Sequence, residues 1–105
     1  MKLTSLLLLL CILRWAPIAT YADGTSIKEN VYYSVWFAPR KEKYAGRGID
    51  STTEPEFVAP TCAAGEYWID AFTLEDPKRR SAASPRITVT PEEEMNPNLR
   101  KERLR

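Results

Sequence analysis

The sequence predicts a mostly β protein: a small antiparallel, sandwich-like domain that follows a cleaved signal peptide and ends in a mobile C-terminal tail. Three observations carry that expectation. Residues 31–38 and 65–74 are rich in aromatic and β-branched side chains, and residues 85–90 alternate strictly between apolar and polar. Pro39, Pro77 and Pro91 close the three runs. No window of comparable quality shows the 3.6-residue apolar period of an amphipathic helix. At 105 residues the chain has room for one domain.

The N-terminal segment reads as an address. Met1 and Lys2 supply a charged start, and residues 3–13 are an almost unbroken apolar run that includes the leucines at 6–10. Arg14 interrupts the run, Pro17 ends any helix, and small residues cluster at Ala19, Thr20 and Ala22. This is the layout of a secretory signal peptide, and cleavage after Ala22 places small residues at both positions a signal peptidase reads. A membrane anchor needs about 20 apolar residues. Extending the run to Ala22 buries Arg14, at a cost of about 2.5–3.5 kcal/mol at a bilayer centre. The expectation is therefore a leader over residues 1–22, no membrane segment after cleavage, and a domain over 23–90 secreted into the extracellular space.

Cleavage there changes the cysteine arithmetic. The chain has two cysteines, and Cys11 leaves with the leader, so Cys62 is expected to stand alone and no internal disulfide is expected. A lone cysteine in an oxidising compartment has two readings: an intermolecular disulfide in a homodimer, or a small buried apolar residue with no redox role.

The strongest strand is 31–38, where Val31, Tyr33, Val35 and Phe37 share one apolar face. The second, 65–74, puts Tyr67, Ile69 and Ala71 on one face; the third carries Ile87 and Val89. A weaker piece, 57–59, lies between Pro55 and Pro60. Residues 40–48 are a charged stretch ending in a glycine pair, and 51–55 have turn composition. Residues 91–105 read as a charged, disordered tail. Its start offers Thr90 as a helix N-cap and Pro91 at the first helical position, with Pro97 breaking the helix within two turns.

Residues 65–71 (Gly-Glu-Tyr-Trp-Ile-Asp-Ala), a loop, and then 84–90 (Ser-Pro-Arg-Ile-Thr-Val-Thr) resemble the closing strand pair of an immunoglobulin-like or fibronectin type III-like sandwich. In that family a Tyr-x-Ile/Val-x-Ala strand precedes a final Ser-x-x-Ile-Thr-Val strand. The resemblance covers about a quarter of the chain and implies a β-sandwich of about 100 residues. A sandwich does not by itself imply a function.

Composition narrows the chemistry. With no histidine, the Ser-His-Asp and Cys-His nucleophile pairs and the HExxH zinc helix are excluded. Fifteen Lys and Arg against 14 Asp and Glu give no reason to expect nucleic acid, which needs concentrated positive charge. No phosphate loop, metal-ligand spacing or cofactor motif is present in the sequence. Glu66 and Asp70 fall on one strand face but about 13 Å apart, too far to share a catalytic water. A non-catalytic binding module is the expected class, with an extracellular protein or a carbohydrate as its partner. Its candidate surface is the outer strand face, where alternation places Tyr32, Trp36, Trp68 and Phe72 around Asp70. The alternative is a secreted peptide precursor cut at the basic run Lys78, Arg79, Arg80. Charge runs in loops are more often solvated surface.

Overall fold

Strands β2 (Val31–Pro39) and β5 (Gly65–Thr73) form the centre of the fold. In the computed structural model, which describes residues 11–28, 30–39, 46–59, 61–96 and 98–99, they pair antiparallel over their whole length, from Val31 opposite Thr73 to Pro39 opposite Gly65. The register puts Tyr33, Val35 and Phe37 beside Ala71, Ile69 and Tyr67 on the inner face. All six are buried, and Val35, Ile69 and Ala71 are sealed from solvent. Gly65 sits at φ +152°, where a side chain would run into the Ala38 carbonyl and the Phe37 ring, so glycine lets the two strands close at that end.

β3 (Arg47–Thr52) and β6 (Ile87–Val89) flank this pair, giving a four-stranded sheet in the order β3-β2-β5-β6. β3 lies where the sequence reads as charged loop and turn. It is an exposed edge strand with one partner, so it carries no apolar alternation to reveal it. A bulge opposite Val35 and Trp36 leaves Ile49 without a partner.

A second antiparallel sheet joins β1 (Cys11–Arg14) to β4 (Glu56–Ala59). Leu13 points inward with 0% exposure and meets Val35, Ile69, Tyr67 and Val89 in a single core that also holds Trp15. The Trp15 backbone N–H donates to the Pro55 carbonyl (3.0 Å), and its indole N–H donates to the Pro85 carbonyl (3.0 Å), tying both sheets at one corner. The Arg14 guanidinium pairs with Glu56 on the outside. In this structure the second sheet therefore uses a strand that lies ahead of the expected cleavage position between Ala22 and Asp23. A leucine-rich segment satisfies both a leader and a buried strand, so the strand at the end of the apolar run has no distinct signal of its own in the sequence.

The cysteines correct the sequence expectation. Cys11 and Cys62 form an intramolecular disulfide across a sequence separation of 51, with Cα atoms 5.7 Å apart. Cys62 is thus neither a lone thiol nor a reduced core residue, and the bond does not favour a Cys62-linked homodimer. The expectation failed because it removed Cys11 with the leader.

The start of the tail is also ordered. Helix α1 (Pro91–Met95) opens on a reciprocal cap: the Thr90 hydroxyl accepts from the Glu93 N–H (3.2 Å), and the Glu93 carboxylate accepts from the Thr90 N–H (3.0 Å). Glu94 accepts from the Ala64 N–H (2.5 Å), docking the helix beside β5. Residues 100–105, the rest of the expected tail, lie outside the described residues.

Candidate functional site

The outer face of the large sheet follows directly from the β2–β5 register. Tyr32 lies opposite Phe72, Ser34 opposite Asp70, and Trp36 opposite Trp68. All six side chains are half-buried and share one face. The predicted aromatic set is therefore brought together as a ladder, with Tyr32 and Phe72 stacked at 5.9 Å between centroids. The Trp36 indole N–H is buried without a hydrogen-bond partner.

Two arginines complete the face. The Arg86 guanidinium lies 4.0 Å from the Trp68 ring centroid and pairs with Glu66 at 3.2 Å. The Arg80 guanidinium lies 4.5 Å from the Phe72 centroid, donates to the Ser34 hydroxyl at 3.3 Å, and stands 3.7 Å from Asp70 Oδ1. The last separation is an ion pair beyond hydrogen-bond reach, which leaves the buried Asp70 Oδ1 without a hydrogen bond. Sequence reasoning missed both arginines: Arg80 lies in a charged connection that reads as solvated surface, and Arg86 sits among the polar positions of the third predicted strand, with nothing local to name the ring it covers. Their position on either side of the serine-rich segment 81–84, in the connection that returns the chain to β5, was the available signal.

That segment has its own chemistry. β6 pairs with β5 only at residues 65–67, so further along β5 the N–H groups of Ile69 and Ala71 need other acceptors. The Ser84 hydroxyl accepts from Ile69 N–H (2.9 Å), and the Ser81 hydroxyl accepts from Ala71 N–H (2.8 Å). Each hydroxyl donates onward to a carbonyl, of Pro85 and of Ala82 respectively. The Ser81 N–H in turn donates to the Ala71 carbonyl (3.0 Å). Two side chains thus continue the ladder where β6 ends, and they hold Arg80 and Arg86 over the aromatic rings.

Two further charged groups are engaged away from this face. Arg79 stacks on Tyr21 at 3.9 Å and pairs with Asp23 at 2.6 Å, so both 79 and 80 of the basic run are engaged with the body of the domain. Hydrogen bonds from Thr25, side chain and then backbone, lower the Asp23 carboxyl to about 2. Burial, reinforced by the Glu94 charge, pushes the Tyr67 hydroxyl up to about 12, and that hydroxyl donates to the Ala63 carbonyl (2.7 Å). An open cleft of about 450 Å³ lies beside Tyr21, Lys28, Asn30, Thr73 and Glu75. Glu66 and Asp70 are separately paired with Arg86 and Arg80 and do not converge. Among the described residues no group of three or more His, Cys, Asp or Glu gathers to hold a metal ion, and no helix is long and apolar enough to cross a membrane. No protein family, curated protein or solved structure matches the chain.

Proposed function

We propose that this chain is a secreted, non-catalytic binding module of the immunoglobulin-like or fibronectin type III-like sandwich type, which engages an extracellular protein through the outer face of its four-stranded sheet. The observation that carries the reading is the aromatic–guanidinium ladder of Tyr32, Phe72, Arg80, Trp36, Trp68 and Arg86. Aromatic and arginine side chains supply most of the binding energy at protein interfaces, and here they are held on paired strands rather than on a loop. The guanidinium groups lie against the Trp68 and Phe72 rings, where a sugar would stack, and this favours a protein over a carbohydrate.

The sandwich assignment is supported by connectivity. The chain crosses between sheets after β1, β3 and β4, and β2–β3 and β5–β6 are antiparallel neighbours within one sheet. That order parallels strands B, C, C′, E, F and G of a variable-type immunoglobulin sandwich. Tyr67, at the start of β5, donates its hydroxyl to a carbonyl four residues upstream, as the tyrosine corner of that fold does. The disulfide departs from the pattern, because Cys62 precedes β5 and Ile69 lies within it. Secretion is supported by the charged and apolar N-terminal sequence and by a disulfide, which persists in oxidising compartments.

The test is saturable binding of labelled protein to intact cells, compared with the Trp36→Ala and Trp68→Ala variants. Both are expected to lose affinity at least tenfold while their far-ultraviolet circular dichroism stays unchanged. Undiminished binding by folded variants rejects this surface.

A further inference from the structure

We infer that residues 11–22 stay in the mature protein as part of its fold, so that Asp23 is not its N-terminus. This goes beyond the binding reading and does not depend on which face binds. Cleavage after Ala22 takes residues 1–22 out of the chain. It removes β1, and with β1 goes the only sheet partner that β4 has among the described residues. The inner face of the large sheet then loses part of its cover: Val35, Ile69, Tyr67 and Val89 share one core with Leu13 and Trp15, which are 0% and 7% exposed, and Phe57 stays behind on a strand without its partner. Exposing that much of an apolar sheet face to water is destabilising for a small domain.

Further contacts fall in the same stretch. Cys11 is the disulfide partner of Cys62. The Trp15 indole holds the Pro85 carbonyl at 3.0 Å, just ahead of β6. Tyr21 pairs with Ser81 in an isolated bridge and lies under the Arg79 guanidinium at 3.9 Å. The Ala82 N–H donates to the Thr20 carbonyl at 3.3 Å. Residues 20–26 fold back on themselves, with Thr20 opposite Ser26 and the Tyr21 N–H bonded to the Thr25 carbonyl at 2.8 Å. Ala22 and Asp23 form the exposed tip of that turn, so the small residues a signal peptidase would read are turn residues of the folded domain.

The experiment is intact-mass measurement of protein exported from cells expressing the full chain, with and without reduction. Under non-reducing conditions the exported species is expected to contain residues 11–22 and to show no free thiol, whether the chain is continuous or nicked at the tip and held by the disulfide. A species that begins at Asp23, lacks residues 11–22 and carries a reactive Cys62 thiol overturns the inference. Cys11→Ala keeps the N-terminal run apolar, so a leader that ends at Ala22 would leave the product unaltered by it. If the segment is retained, this variant frees the Cys62 thiol for maleimide labelling and lowers the thermal midpoint by about 10 °C or more. Equal midpoints and no new labelling likewise overturn it. The same comparison on full-length chain refolded in air separates a failure of export, which bears on the proposed function, from a failure of this inference.

Discussion

Removing the Ser84 hydroxyl tests whether side chains complete the edge of β5. In Ser84→Ala, the Ile69 N–H loses an acceptor at 2.9 Å in a site sealed from solvent, since Ile69 is 0% exposed. The Pro85 carbonyl, which the hydroxyl also served, keeps the Trp15 indole as a donor at 3.0 Å, so one group is orphaned rather than two. Leaving a buried donor unpaired costs about 1–3 kcal/mol. For a domain of this size each kcal/mol lowers the thermal midpoint by about 4–8 °C, so the expected drop is about 4–24 °C. Differential scanning calorimetry reads the midpoint, and amide exchange reads the Ile69 N–H itself, which should lose protection. Thr88→Ala on the exposed side of β6 is the control and should lie within about 0.5 kcal/mol of the parent. A Ser84→Ala midpoint within 1–2 °C of the parent, together with a still-protected Ile69 amide, refutes the role given to the hydroxyl.

Three other outcomes follow from the same structure. Because the folded state raises Tyr67 to about 12 from an ordinary value of 10.0, folding favours the neutral phenol. That contribution is complete below pH 10 and is lost as pH rises toward 12, so denaturant midpoints should fall across that window in the parent and less in Tyr67→Phe. Asp23 behaves in the opposite sense: its contribution is present above an ordinary carboxyl value of 3.8 and lost as pH falls toward 2. Carboxyl resonances followed by nuclear magnetic resonance should show Asp23 titrating near 2, and Thr25→Ala should move that midpoint upward. Arg86→Ala uncovers the Trp68 ring, so iodide quenching of indole fluorescence should increase, with a stability loss of about 0.5–1 kcal/mol. Unchanged quenching would show that the guanidinium does not shield the ring in solution.

Alternation made β2, β5 and β6 legible, because strands covered on one face must place apolar residues at every second position. It also made the aromatic ladder legible, since Tyr32, Trp36, Trp68 and Phe72 occupy the opposite positions of the same two strands. β3 stayed hidden for the reason an edge always does: Arg47, Asp50 and Ser51 face water and need no pattern. β1 stayed hidden because Leu13 and its neighbours fit two physical roles equally well, and only the packing against Ile69 separates them. The two arginines and the two serines were invisible for another reason. Their roles depend on which strand the returning chain lies beside, and no local period encodes that.

The pairing of Cys11 with Ala59 and of Gly65 with Val89 has a consequence for how the chain is made. Its first strand is among its most apolar, yet the partner of that strand emerges from the ribosome nearly fifty residues later, and the edge that finishes the core comes later still. Until then the backbone groups of β1 lack their native sheet partner. Pairing across so long a separation is slow to form and leaves apolar surface exposed in early intermediates, which favours their aggregation.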